Sequence, residues 1–398
     1  MAMGTHSYSF SSVDKVTSCG DLLSEILLRL PVRSLFRFMS ISKHWNSLIT
    51  NNPTLKSSLY PHPDDPSGLF IPTLLGQQFI FVPFNVDNPV KAPFITLDID
   101  PSAECSVVIK QSCNGLMLCC NELPCHERIC GITKKHYVYN PTINEITTFD
   151  GPGLPAYGLN HRGINIAFDP SKSPHYRIIY IYYHRGKHMY QINMYSSQTR
   201  VCKLSLKVEM RRYSDIEFNS GVYWNNAVHW IDRSGYIVYF NLDQQMIYQK
   251  LTPSARLDFE FKNYIFESRD HFLLVEIIMC PPVSKFKIYE LKRDYSEWFV
   301  KYNVDLAEFG GPLREIFNVG YDVTTEFDVL ALVLGEKEGD SFLVVEIPEK
   351  IVRLNLELKT YTNLHYITFS RIDQRVCRRF FQWPYMYQFM SLSTAGFC

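Results

Sequence analysis

The spacing of apolar and polar positions changes near residue 60 of the chain. Up to Leu59 apolar residues recur every three or four positions, which is the spacing of an amphipathic helix. Beyond Asp65 apolar and polar residues alternate, and Tyr, Val and Ile cluster between turn residues, which is typical of strands. Turn-forming residues fill 61–68 and predict a linker. The pattern therefore predicts a small α module at 15–60 and a β domain at 69–398.

The α module is expected to contain three short helices. The first follows a capping-box pattern that starts at Ser18, and Pro31 ends it because proline lacks the amide hydrogen that the helix needs. Ser34 and Ser42 are expected to cap the second and third helices, and the third stops before Pro53. Three helices of this size are marginal alone. From the pattern alone they could also serve only to pack on the β region.

The β domain shows five units of strand, turn and strand, each roughly 35 to 50 residues long, which suits the four-stranded blade of a propeller. The units run over 112–149, 164–204, 221–250, 271–306 and 327–364. A β-sandwich would explain the short strands but not the recurrent length. The predicted fold class is therefore mainly β with a small α module, with a β-propeller-like domain after the helices.

Composition supports this interpretation and limits the partners. Aromatic residues make up 14% of the chain, and they favour strands. The 40 Lys and Arg residues balance the 40 Asp and Glu residues, so no excess charge attracts nucleic acid or an anionic membrane. The most apolar segment, 272–283, is broken by Glu276 and two prolines, and is too short to cross a bilayer. We expect neither nucleic acid nor membrane as a partner.

The cysteines indicate a reducing compartment. The chain has 11 cysteines, an odd number at irregular spacing, and its first residues lack the apolar segment of a signal peptide. We interpret them as reduced thiols, which are typical of the cytoplasm or the nucleus.

Two sets of motifs resemble a known family. The helical stretch contains Leu30-Pro31-Val32-Arg33-Ser34-Leu35 followed by Ser42-Lys43-His44-Trp45. The β region contains Ser112-Cys113-Asn114-Gly115-Leu116 and Tyr139-Asn140-Pro141-Thr142. These residues resemble the plant F-box proteins that carry a C-terminal F-box-associated, propeller-like domain. The resemblance covers most of the chain and fades after about residue 330.

The resemblance implies a role without catalysis. An F-box protein of this kind is the substrate-recognition subunit of an SCF-type (Skp1–cullin–F-box) ubiquitin ligase. Its helices dock on a Skp1-like adaptor and through it on cullin, and its β domain binds the protein to be ubiquitinated. The implied protein needs no cofactor and no metal. An F-box protein that binds partners outside a ligase, or an enzyme on a propeller scaffold, are the alternatives.

The adaptor is expected to contact apolar residues of the helical module, or these residues form the module's own core. The set is Leu22, Leu23, Ile26, Leu30, Pro31, Val32, Leu35 and Trp45. One departure from the family stands at the start of the first helix, where Cys19-Gly20 replaces the usual Leu-Pro. This departure puts the affinity for the adaptor in question.

The substrate is unknown, but loops are expected to bind it because propellers bind partners through their loops. The candidate loops are Leu154–His161, His184–His188 and Ala255–Asn263.

Three other clusters contain residue types found in zinc sites, catalytic sites or RNA-binding segments, but the sequence around them does not favour these functions. The possible zinc ligands Cys113, Cys119, Cys120, Cys125, His126 and Cys130 include no Cys-x-x-Cys pair. The histidines at 161, 175, 184 and 188 lie near Asp169, but no catalytic motif accompanies them, and Asp169-Pro170 predicts a turn. The arginines at 371, 375, 378 and 379 precede aromatic residues, as in RNA-binding segments. In a neutral chain they predict instead a closing strand pair with exposed arginines.

Overall fold

The computed structural model contains a small helical module and a large β domain. It describes residues 19–30, 34–35, 38, 42–52, 66–72, 79–87, 89, 106–122, 135–141, 145–149, 151–152, 159–209, 216–232, 234–254, 261–278, 285–310, 327–337, 339–347, 350–366 and 387–390.

Two helices of the predicted three have described bounds, α1 (Gly20–Leu28) and α2 (Lys43–Asn51). The predicted capping box is wrong, because Cys19 is the N-cap of α1 and its side chain makes no capping hydrogen bond. The cap of α2 is Ser42, as predicted, and its side chain accepts a hydrogen bond from the Trp45 amide at 3.3 Å. The second predicted helix lies mostly outside the described residues.

Five antiparallel sheets have four strands each, in chain order. Sheet 1 contains β3 (Ser106–Cys113), β4 (Leu116–Glu122), β5 (His136–Asn140) and β6 (Glu145–Phe149). Sheet 2 contains β7 (Leu159–Ala167), β8 (Arg177–His184), β9 (Met189–Ser196) and β10 (Val201–Glu209). Sheet 3 contains β11 (Val222–Trp224), β12 (Ala227–Ile231), β13 (Tyr236–Asn241) and β14 (Met246–Leu251).

Sheet 4 contains β15 (Phe261–Ser268), β16 (His271–Ile278), β17 (Lys285–Leu291) and β18 (Trp298–Asp305). Sheet 5 contains β19 (Asp328–Val333), β20 (Phe342–Ile347), β21 (Lys350–Asn355) and β22 (Tyr361–Tyr366). Each predicted unit overlaps one of these sheets, so the number and order of the repeats are confirmed. The predicted bounds are wrong at two places, since the unit at 112–149 misses most of β3 and the unit at 271–306 misses β15.

A three-stranded sheet, here called the closing sheet, joins the two ends of the β domain. It contains β1 (Pro66–Pro72), β2 (Phe79–Pro83) and β23 (Tyr387–Met390) in the order β2-β1-β23. Strand β1 begins inside the range expected to be a linker. The closing sheet contacts sheet 1 through β23 and β3, and sheet 5 through β2 and β22. Consecutive sheets also contact one another, so the sheets form a ring like that of a propeller.

Apolar side chains fill each gap between neighbouring sheets. In β17, Phe286 and Ile288 are buried while Lys285 and Lys287 are exposed, which is the alternation that a half-buried strand requires. Separate buried clusters lie between sheets 1 and 2, 2 and 3, 3 and 4, and 4 and 5, and on both sides of the closing sheet. The β domain is therefore held together by sheet-to-sheet contacts around the ring rather than by the single core of a sandwich.

The order of the strands gives the ring two different faces. The connections between first and second strands and between third and fourth strands emerge on one face, here called the turn face. The connections between second and third strands, and those from one sheet to the next, emerge on the opposite face, here called the loop face. The turn face has connections as short as 225–226 and 269–270, whereas the loop face has connections as long as 306–327 and 367–386.

Candidate functional site

Helix α1 buries one set of leucines and exposes another set of apolar residues. Leu23 and Leu27 are buried at 2% and 0% exposure, together with Leu35 and Ile49. Leu22 and Ile26, four positions apart on the same side of the helix, are 51% and 47% exposed. The module therefore has a core of its own and an apolar surface that the core does not use.

The eight residues predicted to contact the adaptor fall into four groups in the structure. Leu23 and Leu35 are core residues, and Leu30 and Trp45 are partly buried against them. Leu22 and Ile26 are exposed. The other two predicted residues, Pro31 and Val32, lie outside the described part of the chain.

One exposed residue of α1 was missed by the sequence analysis. Leu28 is 39% exposed and ends the helix. Leu28 lies two positions after Ile26, so the two side chains point to different sides of the helix. Leu22 and Ile26 are here called the α1 surface.

Gly20, which stands at the start of α1 where the family usually has proline, lies beside α2. A side chain at Gly20 would begin 3.5 Å from Leu48 Cδ1, which is ordinary van der Waals contact. Phe38 packs on Trp45 with ring centroids 5.1 Å apart. The helices thus support one another through apolar contacts, and glycine at position 20 leaves Leu48 less covered than a larger side chain would.

The three loops proposed to bind substrate all belong to the loop face. The connection 150–158 precedes β7, 185–188 joins β8 to β9, and 252–260 precedes β15. The loop at 184–188 contains a turn of 3₁₀-helix at Arg185–Lys187, and the Tyr183 hydroxyl lies 3.1 Å from His188 Nδ1. Residues 153–158 and 255–260 lie outside the described residues, while 159–161 and 261–263 belong to β7 and β15. The strands that flank these segments meet the loop face, and the binding of a substrate stays a prediction.

Cysteines of the suspected zinc cluster are buried thiols in sheet 1. Cys113, Cys119 and Cys120 are free and buried, and burial raises the pKa of Cys113 and Cys119 well above the ordinary value. The Cys113 thiol donates to the Phe168 carbonyl at 3.5 Å. Cys125, His126 and Cys130 lie outside the described residues. Within the described ranges, no group of three or more His, Cys, Asp or Glu side chains is placed to hold a metal ion.

Asp169 forms the turn that its sequence predicts. Its backbone carbonyl accepts hydrogen bonds from the amides of Lys172 and Ser173, and its carboxylate accepts from Ser171. Partial burial acts to raise the pKa of Asp169, but the hydrogen bonds from Lys172 and Ser171 outweigh burial and lower it. Its carboxylate is thus occupied by neighbours in its own turn.

A cleft of about 320 Å³ opens on the turn face between sheets 4 and 5. Its lining mixes charges, with Arg269 and Lys301 on one wall and Glu357 on the other. Lys301 and His271 both bind the Glu290 carboxylate, at 2.7 and 2.6 Å. Lys301 and His271 are thus paired with Glu290, and Arg269 is paired with Glu336, so these three side chains already have acidic partners.

The arginines of the tail, at 371, 375, 378 and 379, lie outside the described residues. Within the described residues, the helices are too short and too polar for any of them to cross a bilayer.

Comparisons with known proteins identify the helical module. Residues 20–57 match the family model for the F-box domain. The F-box protein At5g07610 of Arabidopsis thaliana is 29% identical over 386 residues, which cover 90% of this chain and 87% of that protein. The putative F-box only protein 10 of Arabidopsis thaliana is 22% identical over 305 residues, which cover 73% of this chain and 70% of that protein.

A solved structure of a nidogen/laminin complex overlaps the model with a TM-score of 0.40 at 11% identity, over 75% of this chain and 92% of that chain. This overlap is low, and the propeller-like arrangement rests on the sheets described above.

Proposed function

We propose that the chain, whose residues 20–57 match the F-box domain ahead of a propeller-like β domain, is an F-box protein and the substrate-recognition subunit of an SCF-type ubiquitin ligase. In this role the helical module binds a Skp1-like adaptor, which connects it to cullin, and the β domain binds the protein to be ubiquitinated. The chain itself catalyses no step. It raises the concentration of the substrate near the loaded E2 enzyme. Such a complex would work in the cytoplasm or the nucleus.

The α1 surface is the observation that carries this proposal. Leu22 and Ile26 are apolar, about half exposed, and part of a module that already has a core. Apolar side chains grouped on one helix are typical of helix-packing interfaces. We propose that the adaptor covers these residues, while Leu23 and Leu35 act only through the fold of the module.

Co-purification of the full chain with a Skp1-like adaptor tests the proposal. The Leu22→Glu/Ile26→Glu double variant should weaken adaptor binding roughly 100-fold or more, because a charge would be buried at the interface. The helical content measured by circular dichroism should not change, since both side chains are exposed. Leu358→Glu is the matched control, because Leu358 is a 65% exposed leucine in sheet 5 and should leave adaptor binding unchanged.

A wild-type chain that does not bind any adaptor would contradict the ligase role. The β domain would then act as a binding module outside a ligase, a result that Gly20 in place of the usual proline would help to explain. A double variant that binds as well as the wild type would instead place the interface on another part of the module.

The substrate side is tested with the reconstituted ligase. Replacement of 184–188 and 255–260 by Gly-Ser segments should abolish ubiquitination of proteins that depend on this chain, and should leave adaptor binding intact. The matched control is replacement of the turn-face residues at 242–245. If the turn-face replacement alone abolishes ubiquitination, the substrate binds to the opposite face.

A further inference from the structure

A group of polar side chains is buried between sheets 3 and 4, at the loop-face end of their contact. Asn263 on β15 and Glu276 on β16 are direct partners across the strands, so their side chains lie on the same face of sheet 4. That face packs on sheet 3 through an apolar cluster that includes Leu274. Ser254, in the connection that leaves sheet 3, donates to Glu276 Oε2 at 2.7 Å.

Three oxygens of this group have no hydrogen-bond partner in the protein. Glu276 is 3% exposed, and its Oε1 has no hydrogen-bond partner. Asn263 Oδ1 and the hydroxyl of Thr252, two residues before Ser254, are also buried without a partner. A buried carboxylate costs several kcal/mol unless an opposite charge or donors compensate it.

The nearest cation along the sheet does not compensate this charge. Lys287 on β17 faces Glu276 across the strands, but it is exposed and makes no ion pair within the described part of the chain. Tyr289, the next residue but one on β17, has a pKa raised by burial and further by the Glu276 carboxylate. Within the described residues, no ion pair compensates the Glu276 carboxylate.

We propose that Glu276, Asn263 and Thr252 form a binding site for a hard cation that takes oxygen ligands, of the Ca²⁺, Mg²⁺ or K⁺ class. The three unpartnered atoms are a carboxylate oxygen, an amide oxygen and a hydroxyl oxygen, which are the ligands that such cations prefer. The site contains no cysteine or histidine, so it differs from the suspected zinc cluster in place and in chemistry. Because it contributes one carboxylate, its affinity is modest.

The position of the site gives the cation a structural role. Thr252 and Ser254 begin the 252–260 connection on the loop face, so a bound cation ties the start of this connection to sheet 4. This role does not depend on the ligase proposal, and the site can be tested in the chain without any adaptor.

Thermal unfolding of the full chain tests the site. After treatment with a chelator and dialysis, CaCl₂, MgCl₂ or KCl is added in separate arms, with choline chloride at the same ionic strength as the reference. One cation should raise Tm in a saturable way, by about 2 °C or more. The Glu276→Gln variant should lose this response because it removes the charge and keeps the shape. Glu290→Gln is the matched control, since Glu290 is also a buried glutamate but is paired with Lys301 and His271.

Terbium luminescence gives a readout that does not depend on stability. Tb³⁺ takes the same oxygen ligands, and the nearby Tyr289 should sensitise its emission. Emission should fall at least fivefold in Glu276→Gln, whereas Tyr289→Phe should lose emission and keep the Tm response. If Glu276→Gln fails to fold, Asn263→Asp replaces it, and the added carboxylate should tighten cation binding about tenfold.

Two results would overturn the site. An equal Tm in every salt for the wild type means that water satisfies these oxygens. A cation response of the same size in the wild type and in Glu276→Gln means that the cation binds elsewhere on the chain.

Discussion

The turn face of the ring and the first strands of its sheets are built in different ways. On the turn face, pairs of residues in the left-handed region close the tightest hairpins: Asn114-Gly115, Asn225-Asn226 and Arg269-Asp270. Asn, Asp and Gly tolerate this conformation better than other residues, so each turn is specified by its own few residues. The exception is Arg269, whose guanidinium donates to the Leu334 carbonyl of the next sheet.

Along the first strands of neighbouring sheets, contacts between residues far apart in the chain replace such local rules. The Gly221 amide donates to Asn165 Oδ1 at 3.0 Å, and the Gly221 carbonyl accepts from Gln111 Nε2 at 2.9 Å. Gln111 and Asn165 lie on the first strands of sheets 1 and 2, and Gly221 directly precedes the first strand of sheet 3. The hairpins of the turn face can therefore be predicted from short stretches of sequence, while the contacts between first strands depend on the assembled ring.

The greatest loss of stability is expected from a change in this network between first strands. In Gly221→Val the new Cβ would lie 2.1 Å from Asn165 Oδ1 and 2.7 Å from Trp230 Nε1, so buried groups must shift. The free energy of unfolding should fall by about 3 kcal/mol, measured by chemical denaturation. Gly186→Ala is the control, because its nearest neighbour lies at 3.6 Å, and it should change stability by less than about 0.5 kcal/mol. If Gly221→Val and Gly186→Ala lower the free energy of unfolding equally, the long-range contacts of Gly221 are no more important for stability than local ones.

A second long-range contact makes stability depend on pH. His229 is fully buried, and its Nδ1 donates to the Val222 carbonyl, so the neutral ring accepts from the Tyr295 hydroxyl at 2.9 Å. Burial lowers the pKa of His229 from 6.5 to about 3. The folded state therefore binds this proton less readily than the unfolded state.

The neutral His229 ring makes its full contribution to the free energy of unfolding above pH 6.5. This contribution is lost as the pH falls from 6.5 towards 3. By pH 4 the loss is on the order of 3 kcal/mol. Urea unfolding of the wild type and of His229→Gln between pH 7 and pH 4 isolates this loss, since the carboxylates titrate in both chains. Parallel stability curves for the two chains would show that another group carries the acid sensitivity.

A smaller effect is expected at a hairpin of the turn face. Asn226 has a φ of 57°, a left-handed conformation that a β-branched side chain disfavours. Asn226→Ile should cost about 1–2 kcal/mol, and Asn226→Gly should be close to neutral. Thermal unfolding of both variants checks this order. If isoleucine and glycine are equally tolerated, the turn is not specified by its own residues.

The smallest effect is expected for a charge pair on the same face. Arg293 and Asp270 form an ion pair, but their side chains are 58% and 57% exposed. Arg293→Ala should cost about 0.5 kcal/mol or less, because water screens exposed pairs. A loss of more than about 1.5 kcal/mol in denaturant unfolding would mean that the Arg293 side chain has a packing role.

Features that depend on residues close together in the chain could be predicted from the sequence alone. The change from helical to alternating spacing separates the α module from the β domain, and Ser42 caps α2 as predicted. The five repeat units correspond to sheets 1 to 5, because strand alternation and turn chemistry are properties of short segments. The start of α1 was the local error, since Cys19 rather than Ser18 caps the helix.

Which apolar residues are buried, and which distant segments contact each other, depends on the tertiary structure. Leu22 and Leu23 are neighbours in sequence with the same hydrophobicity, yet one is exposed and the other is covered by residues of the other helices. The closing sheet joins β1 to β23 across the length of the domain, and Glu276 meets Ser254 across two sheets. Periodicity reports the shape of one element, but burial and pairing depend on what packs against it, so these features follow from the closed ring.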